Sequence, residues 1–174
     1  LFGPERPLNP DAQFIICPNV LGSCYGTTGP TSTNPETGKK YRADFPEVTI
    51  RDMVRLQQKL LNELSINGIE LLIGGSMGGM QVLEWCIMDD RPQAAILIGM
   101  GKEHSPWAIG TSHTQRQAIY NDPNWKDGYY SEDSQPQQGL SLARQIAMIS
   151  YRSDTDYQQK FGRQRQENKD QFQV

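Results

Sequence analysis

Leu71-Leu72-Ile73-Gly74-Gly75-Ser76-Met77-Gly78-Gly79-Met80 is the stretch on which the reading of the whole chain turns. An apolar run enters a glycine pair, one serine follows, and a second glycine pair leads to Met80, Leu83, Cys86 and Ile87 at helical spacing. The pattern predicts strand, sharp turn, helix. Gly74, Ser76 and Gly78 match G-x-S-x-G, in which the glycines let strand and helix approach closely while the serine takes a strained backbone conformation. Such a serine projects its hydroxyl from the sheet edge. The positive end of the following helix favours developing negative charge, and the backbone N–H of Met77 is placed to donate to an oxyanion. A bare G-x-S-x-G also fits a glycine-rich turn that only packs a helix on a strand. The strand before it and the amphipathic helix after it favour a nucleophile.

Working outward toward the N-terminus, Ile69–Ile73 reads as the strand, and Asn67-Gly68 as the stop of a preceding helix. That helix is predicted from about Ile50 to Leu64. Thr49 and Asp52 stand in capping-box positions, with Asp in place of Glu, and Met53, Leu56, Leu60, Leu61 and Leu64 share one face. Further back, Phe14-Ile15-Ile16-Cys17 is a short continuous apolar run of the kind that buried parallel strands show. Between them, Pro18 to Val48 is crowded with Gly, Thr, Asn and Pro, which predicts a long loop, either flexible enough to lie against a ligand or simply a solvated surface loop. Toward the C-terminus, Ala94–Ile98 reads as a third buried strand. The strand, helix, strand order then implies parallel, right-handed crossovers and an α/β fold, with a mostly parallel sheet and helices on both faces. After Gly99 no convincing strand follows, and helices are predicted over Pro106–Tyr120 and Leu140–Tyr151. Such a helical insertion after a catalytic strand end commonly caps an active site and excludes water. The aromatics of the intervening connector, Tyr120, Trp125, Tyr129 and Tyr130, read as packing rather than as a pocket wall.

Composition excludes several classes. The formal net charge is −3 over 174 residues, with both signs scattered, so there is no basic stripe for nucleic acid. No apolar run has the length of a membrane span. The cysteines, Cys17, Cys24 and Cys86, lack C-x-x-C spacing and a nearby histidine pair, which argues against a disulfide framework or a zinc site and for reduced thiols in a cytosolic protein. Cys17 and Cys86 are expected to pack as small apolar groups. The chain begins without methionine and ends in a polar run near Gln166–Gln171 with no closing strand, and it reads as incomplete.

A serine alcohol becomes a competent nucleophile when a histidine takes its proton and a carboxylate orients that histidine. The histidines are His104 and His113. Elbow folds present serine, acid and histidine in that chain order, after further strands. His104 follows the third predicted strand too soon, and His113 lies inside the helical insertion. The base is expected outside this chain.

Several segments line up in one order: Cys17-Pro18-Asn19-Val20-Leu21-Gly22, Gly26-Thr27-Thr28-Gly29-Pro30, Asp44-Phe45-Pro46, Gly74–Gln81, Glu84-Trp85, Gln115-Arg116-Gln117-Ala118-Ile119, Gly139–Arg144 and Tyr151-Arg152-Ser153. Together they resemble the homoserine O-acetyltransferases. The resemblance implies an α/β-hydrolase fold, with residues 1–100 as the central part of the core and 101–174 as an incomplete helical lid. It implies a Ser, Asp, His triad and two-step acyl transfer from acetyl-CoA, a co-substrate, to the hydroxyl of L-homoserine in methionine biosynthesis. No bound cofactor or metal is implied. A cytoplasmic homodimer joined through the lid helices is. Ser76 matches the nucleophile, and Arg144 best matches the substrate-binding arginine, with Arg152 as the fallback. A guanidinium suits the homoserine carboxylate because it binds two oxygens at once. The resemblance also implies that the segment supplying the second oxyanion donor precedes Leu1, and that the triad aspartate and histidine follow Val174. This stretch alone would then be inactive. Succinyl transfer, serine as acceptor, or a serine esterase with water as acceptor are the alternatives. Ser23 stands where a second glycine is common, which narrows the approach of this loop to a ligand.

Overall fold

A computed structural model describes residues 1–165 and Glu167. The polar run expected near Gln166–Gln171 therefore lies, but for Glu167, outside the described residues. The chain divides into two compact units, the first from Leu1 to Lys102 and the second from Glu103 onward.

In the first unit, helix α1 (Ile50–Glu63) starts at a capping box in which the Thr49 hydroxyl accepts from the Asp52 N–H, while the Asp52 carboxylate accepts from the Thr49 N–H. Two orphan amides are satisfied reciprocally, so the helix begins where the sequence predicts. Strand β1 (Leu72–Gly75), helix α2 (Met77–Met88) and strand β2 (Ala95–Ile98) follow, and β1 pairs with β2 in parallel, Leu72 opposite Ala95 and Gly75 opposite Ile98. The ladder thus runs through both glycines of the turn rather than ending before them. Ile69, predicted as the start of the strand, makes only an isolated bridge to Pro92.

Phe14–Cys17 does not form the predicted strand, so the described sheet has two strands and not three. Among the described residues no neighbouring backbone ladders with the run. Ile16 packs against the core while Phe14 is 78% exposed. Burial of one side chain is not enough to make a strand when its N–H and C=O groups have no paired edge to meet.

Val54, Leu61 and Trp85 form the buried centre of this unit, flanked by Ile16, Ile66, Ile69, Leu72 and Met88. A polar chain stitches the two helices across it: the Trp85 indole donates to Gln57 Oε1 at 2.7 Å, and Gln57 Nε2 donates to Gln81 Oε1 at 2.6 Å. Arg91 locks the turn after α2, with Nε and Nη2 on the Asp89 carboxylate at 2.9 and 2.7 Å, and Nη1 on Asn62 Oδ1 and the Ile66 carbonyl at 3.0 and 3.1 Å. The guanidinium beside it holds the Asp89 carboxyl down at about 2. Cys17, Cys24 and Cys86 are all free and exposed, which corrects the expectation that Cys17 and Cys86 pack inside. The outer face of α2 that carries Cys86 also leaves Ile87 exposed.

The long loop is less free than its composition implies. Asn19 Nδ2 donates to the Tyr25 carbonyl at 2.6 Å and to Thr27 Oγ1 at 2.8 Å, and Gly22 N–H bonds to the Thr28 carbonyl at 2.9 Å. Gly29 lies so close to the Ser23 carbonyl that an added Cβ would sit 2.3 Å from its oxygen. The segment is a closed loop tied across its neck, and one 3-10 turn, Arg42–Asp44, punctuates its remainder.

In the second unit, helix α3 (Pro106–Tyr120) is capped by Ser105 and packs against helix α4 (Gln137–Ser150). Helix α4 begins before the predicted Leu140 because a residue from the preceding connector caps it. Its N-cap, Pro136, offers no side-chain bond, and Asp122 instead accepts the Gly139 N–H at 2.8 Å while also closing its own turn on the Asn124 N–H at 2.8 Å. These bonds draw the Asp122 carboxyl below its ordinary value. An alanine Cβ at Gly139 would lie 2.5 Å from the Ala118 carbonyl oxygen, so the glycine permits the close helix contact. Tyr120, Trp125 and Tyr130 stack on one another with centroids 5.4 and 5.8 Å apart, the packing role expected of them. A short helix α5 (Asp154–Phe161), capped by Ser153, went unpredicted although Ser153 followed by two aspartates in the first turn signals a helix start. No helix among the described residues is long and apolar enough to cross a membrane.

Candidate active site

Ser76 sits between β1 and α2 with φ 52° and ψ −122°, a combination that a residue with a side chain adopts only under strain. Holding it costs on the order of 1–3 kcal/mol, which the surrounding structure must over-determine. The restraints are visible. The Ser76 N–H donates to the Ile98 carbonyl at 2.8 Å, which pins the turn to β2, and the Ser76 carbonyl accepts the Met80 N–H at 3.2 Å. Gly74 is buried against the start of α2, where an added Cβ would be 2.2 Å from the Gly78 oxygen, and one on Gly79 would be 2.7 Å from Met100 Cγ. Any larger residue at these positions would push the helix off the strand and relax the turn.

The Ser76 side chain does not cap its own helix, it is exposed, and it makes no hydrogen bond among the described residues. Met77 is the first residue of α2, so its N–H has no acceptor within the helix and points to the same end as the serine. The arrangement offers a hydroxyl held out at a helix N-terminus with an unused amide beside it. Negative charge developing near that hydroxyl is favoured by the helix dipole. No histidine or carboxylate bonds to Ser76 among the described residues; His104 and His113 are both exposed and belong to the second unit.

Arg144 lies on α4, and the structure brings it to a groove of about 340 Å³ between α3 and α4 that Arg116 also lines. Sequence reasoning singled out Arg144 and passed over Arg116 as anything but part of a motif. The signal for pairing them is tertiary, since it requires knowing which faces of two helices meet. Arg152, the fallback, is engaged elsewhere: Nη1 is on Asp156 Oδ2 at 2.6 Å and Nε is on the Met148 sulfur at 3.4 Å. Among the described residues no group of His, Cys, Asp and Glu is arranged to hold a metal ion.

With this geometry in view, comparison with known proteins is specific. The family model described as the alpha/beta hydrolase fold matches residues 5–173. A homoserine O-acetyltransferase of Trichormus variabilis is 53% identical over 175 residues, covering 100% of this chain and 49% of the relative. One from Chlorobaculum tepidum is 50% identical over 169 residues, covering 97% and 48%. Among solved structures, esterase E22 superposes with TM-score 0.83 at 32% identity, covering 91% of this chain and 45% of that one. Homoserine O-acetyltransferase from Bacillus anthracis does so with TM-score 0.75 at 31% identity, covering 79% and 37%. The chain spans about half the length of the curated relatives it matches.

Proposed function

Because the chain belongs to the α/β-hydrolase fold family, we propose that Ser76 is the nucleophile of a full-length enzyme that transfers an acetyl group from acetyl-CoA to the hydroxyl of L-homoserine, a step of methionine biosynthesis. The observation that carries the chemistry is the strained, unbonded serine at the start of α2. The choice of acceptor rests on likeness to named homoserine O-acetyltransferases along the whole chain.

In the first half-reaction, Ser76 Oγ attacks the thioester carbonyl and its proton passes to a histidine, held by an aspartate, in the remainder of the full-length protein. The Met77 N–H donates to the oxyanion of the tetrahedral intermediate, and collapse expels the CoA thiol, which takes up the proton, leaving an acyl ester on Ser76. In the second, the same base takes the proton of the homoserine hydroxyl, whose oxygen attacks that ester and regenerates the serine. Arg144 reads the homoserine carboxylate with two parallel N–H donors. The reaction needs no bound cofactor. The reading further comprises a cytoplasmic homodimer joined through the lid helices, supported by the exposed apolar residues Trp107, Ile109 and Ile149. Without a base for Ser76, residues 1–174 alone are expected to be inactive.

Incubation of the full-length protein with labelled acetyl-CoA should label the Ser76 peptide, and Ser76→Ala should remove the label and lower turnover by roughly four orders of magnitude or more. Label on another residue would remove Ser76 from its role. Arg144→Ala should leave the burst of CoA release intact while raising the homoserine KM by about 1.5–3 kcal/mol equivalent, the range for a hydrogen bond to a charged group. Loss of the burst with an unchanged KM would move Arg144 to the donor side.

The superposition on esterase E22 favours a second reading, a serine esterase with water as acceptor, because the elbow is compatible with either. Partition of the acyl-enzyme decides. A transferase returns O-acetylhomoserine in excess over acetate when homoserine is present, whereas an esterase releases acetate at a rate homoserine does not alter. Running succinyl-CoA and serine in the same assay tests the nearest alternatives of donor and acceptor.

A further inference from the structure

The groove between α3 and α4 sets Arg144, which the proposed reading uses, beside Arg116, which it does not. Arg116, from α3, and Arg144, from α4, both line it, and neither has a hydrogen-bond or ion-pair partner among the described residues. Elsewhere, Arg51, Arg55, Arg91 and Arg152 each meet a carboxylate. Among the described residues neither Asp nor Glu lines the groove, so its described lining carries positive charge without a counter-charge. Two like charges on the lining of one groove repel, and an anion bound between them relieves that repulsion and gains both attractions.

The rest of the lining narrows the ligand. Ile119, Leu140, Ala143 and Ala147 contribute apolar lining, and Ser112 and Gln115 supply neutral polar groups. The volume of about 340 Å³ lies at the small end of ligand sites, suited to a small organic anion rather than a nucleotide. The helix pair is also held in register. Asp122 caps α4 from the end of α3, and Gly139 allows backbone contact there, so the two arginines are carried on elements whose relative position is set by buried bonds.

We propose that Arg116 is a second carboxylate-binding residue, acting with Arg144 so that the two guanidinium groups clamp the carboxylate of the amino-acid acceptor. This deepens the acyltransferase reading and rests on it for the identity of the acceptor, though not for the existence of an anion site. With two guanidinium groups, discrimination between a carboxylate and its neutral amide exceeds what one exposed arginine provides.

The test uses the full-length protein carrying Ser76→Ala, which binds without turning over, and ligand-observed NMR with L-homoserine and L-homoserine carboxamide as probes. Homoserine should bind better than the carboxamide, and Arg116→Gln and Arg144→Gln should each weaken homoserine roughly tenfold or more while leaving the carboxamide unchanged. Arg116→Lys, which keeps the charge and loses the two-pronged geometry, should recover part of the loss. Homoserine affinity unaltered by Arg116→Gln overturns the proposal. So does an equal loss for both probes, which marks a structural arginine, and so does absence of homoserine binding with both arginines present. Failure of the acyltransferase reading looks different: protein with Ser76 intact transfers no acyl group to homoserine, while the Ser76→Ala protein still prefers the carboxylate probe in the manner that Arg116 and Arg144 dictate.

Discussion

The elbow around Ser76 and the groove between α3 and α4 are built by opposite means. At the elbow, positioning is done by backbone: a strained φ, an amide bonded across to β2, and glycines whose missing side chains let a helix touch a strand. Apart from Ile98 and Met100, the residues that shape it lie within a few positions of the serine. In the groove, positioning is done by side chains from two packed helices, with Asp122 and Gly139 fixing one end of their contact. A local device can be read as a word in the sequence, whereas a tertiary one must be read from who faces whom.

The comparison can be broken with one methyl group in each region. Gly74→Ala puts a Cβ 2.2 Å from a backbone oxygen, a contact that no rotamer change relieves, and should cost about 3 kcal/mol or more of stability. Gly139→Ala meets the Ala118 oxygen at 2.5 Å and should cost about 2–3 kcal/mol. Denaturant unfolding of the full-length protein measures both, and reaction with a serine-directed fluorophosphonate separates them. Gly74→Ala should abolish labelling of Ser76, while Gly139→Ala should leave it. Loss of labelling in Gly139→Ala would show that the two devices are not independent.

A smaller change sharpens the second half of the contrast. Asp122→Ala strands the buried Gly139 amide and frees the partly buried Asn124 amide, and should cost about 2 kcal/mol, as for a lost cap. Asp122→Asn keeps one acceptor oxygen and should cost about half as much. A cost below about 0.5 kcal/mol for Asp122→Ala would mean that helix packing alone sets the register of α4.

The smallest effect is on acid stability. Asp89 is held at about 2 by Arg91, below the ordinary 3.8, so its contribution is complete above the ordinary value and disappears as pH falls from about 4 to about 2. Asp122, also depressed, acts in the same direction in the second unit. Asp89→Asn should flatten the fall in stability over that range, measured by urea midpoints against pH. A slope unchanged from the parent would show that Arg91 gains no more from the carboxylate in the folded chain than in the unfolded one.

What the sequence disclosed follows the same division. Helix α1 was legible because its capping box and apolar stripe are local, and the elbow because glycine and serine positions encode its geometry directly. The strand at Phe14–Cys17 was misread: apolar content measures the wish to be buried, whereas a ladder needs a partner that no local pattern reveals. Local spacing assigns Gly74 and Gly75 to the turn, yet they pair with Leu97 and Ile98, because a neighbouring strand overrides the weak strand preference of glycine. The start of α4 was misplaced for want of its remote cap. The family resemblance singles out Arg144, and only the packing of two helices puts Arg116 on the same groove.

Trp85 has a consequence of another kind. Its ring is 3% exposed, its indole N–H is bonded to Gln57, and the Arg91 guanidinium lies 5.5 Å from the ring centre, whereas Trp107 is 79% exposed in the other unit. An indole sealed in this way emits at shorter wavelength and is shielded from a dissolved quencher such as iodide, while one in water emits further to the red and is quenched. Opening of the first unit therefore shows as a red shift and new iodide quenching of Trp85, against a Trp107 signal that is red and quenched from the start.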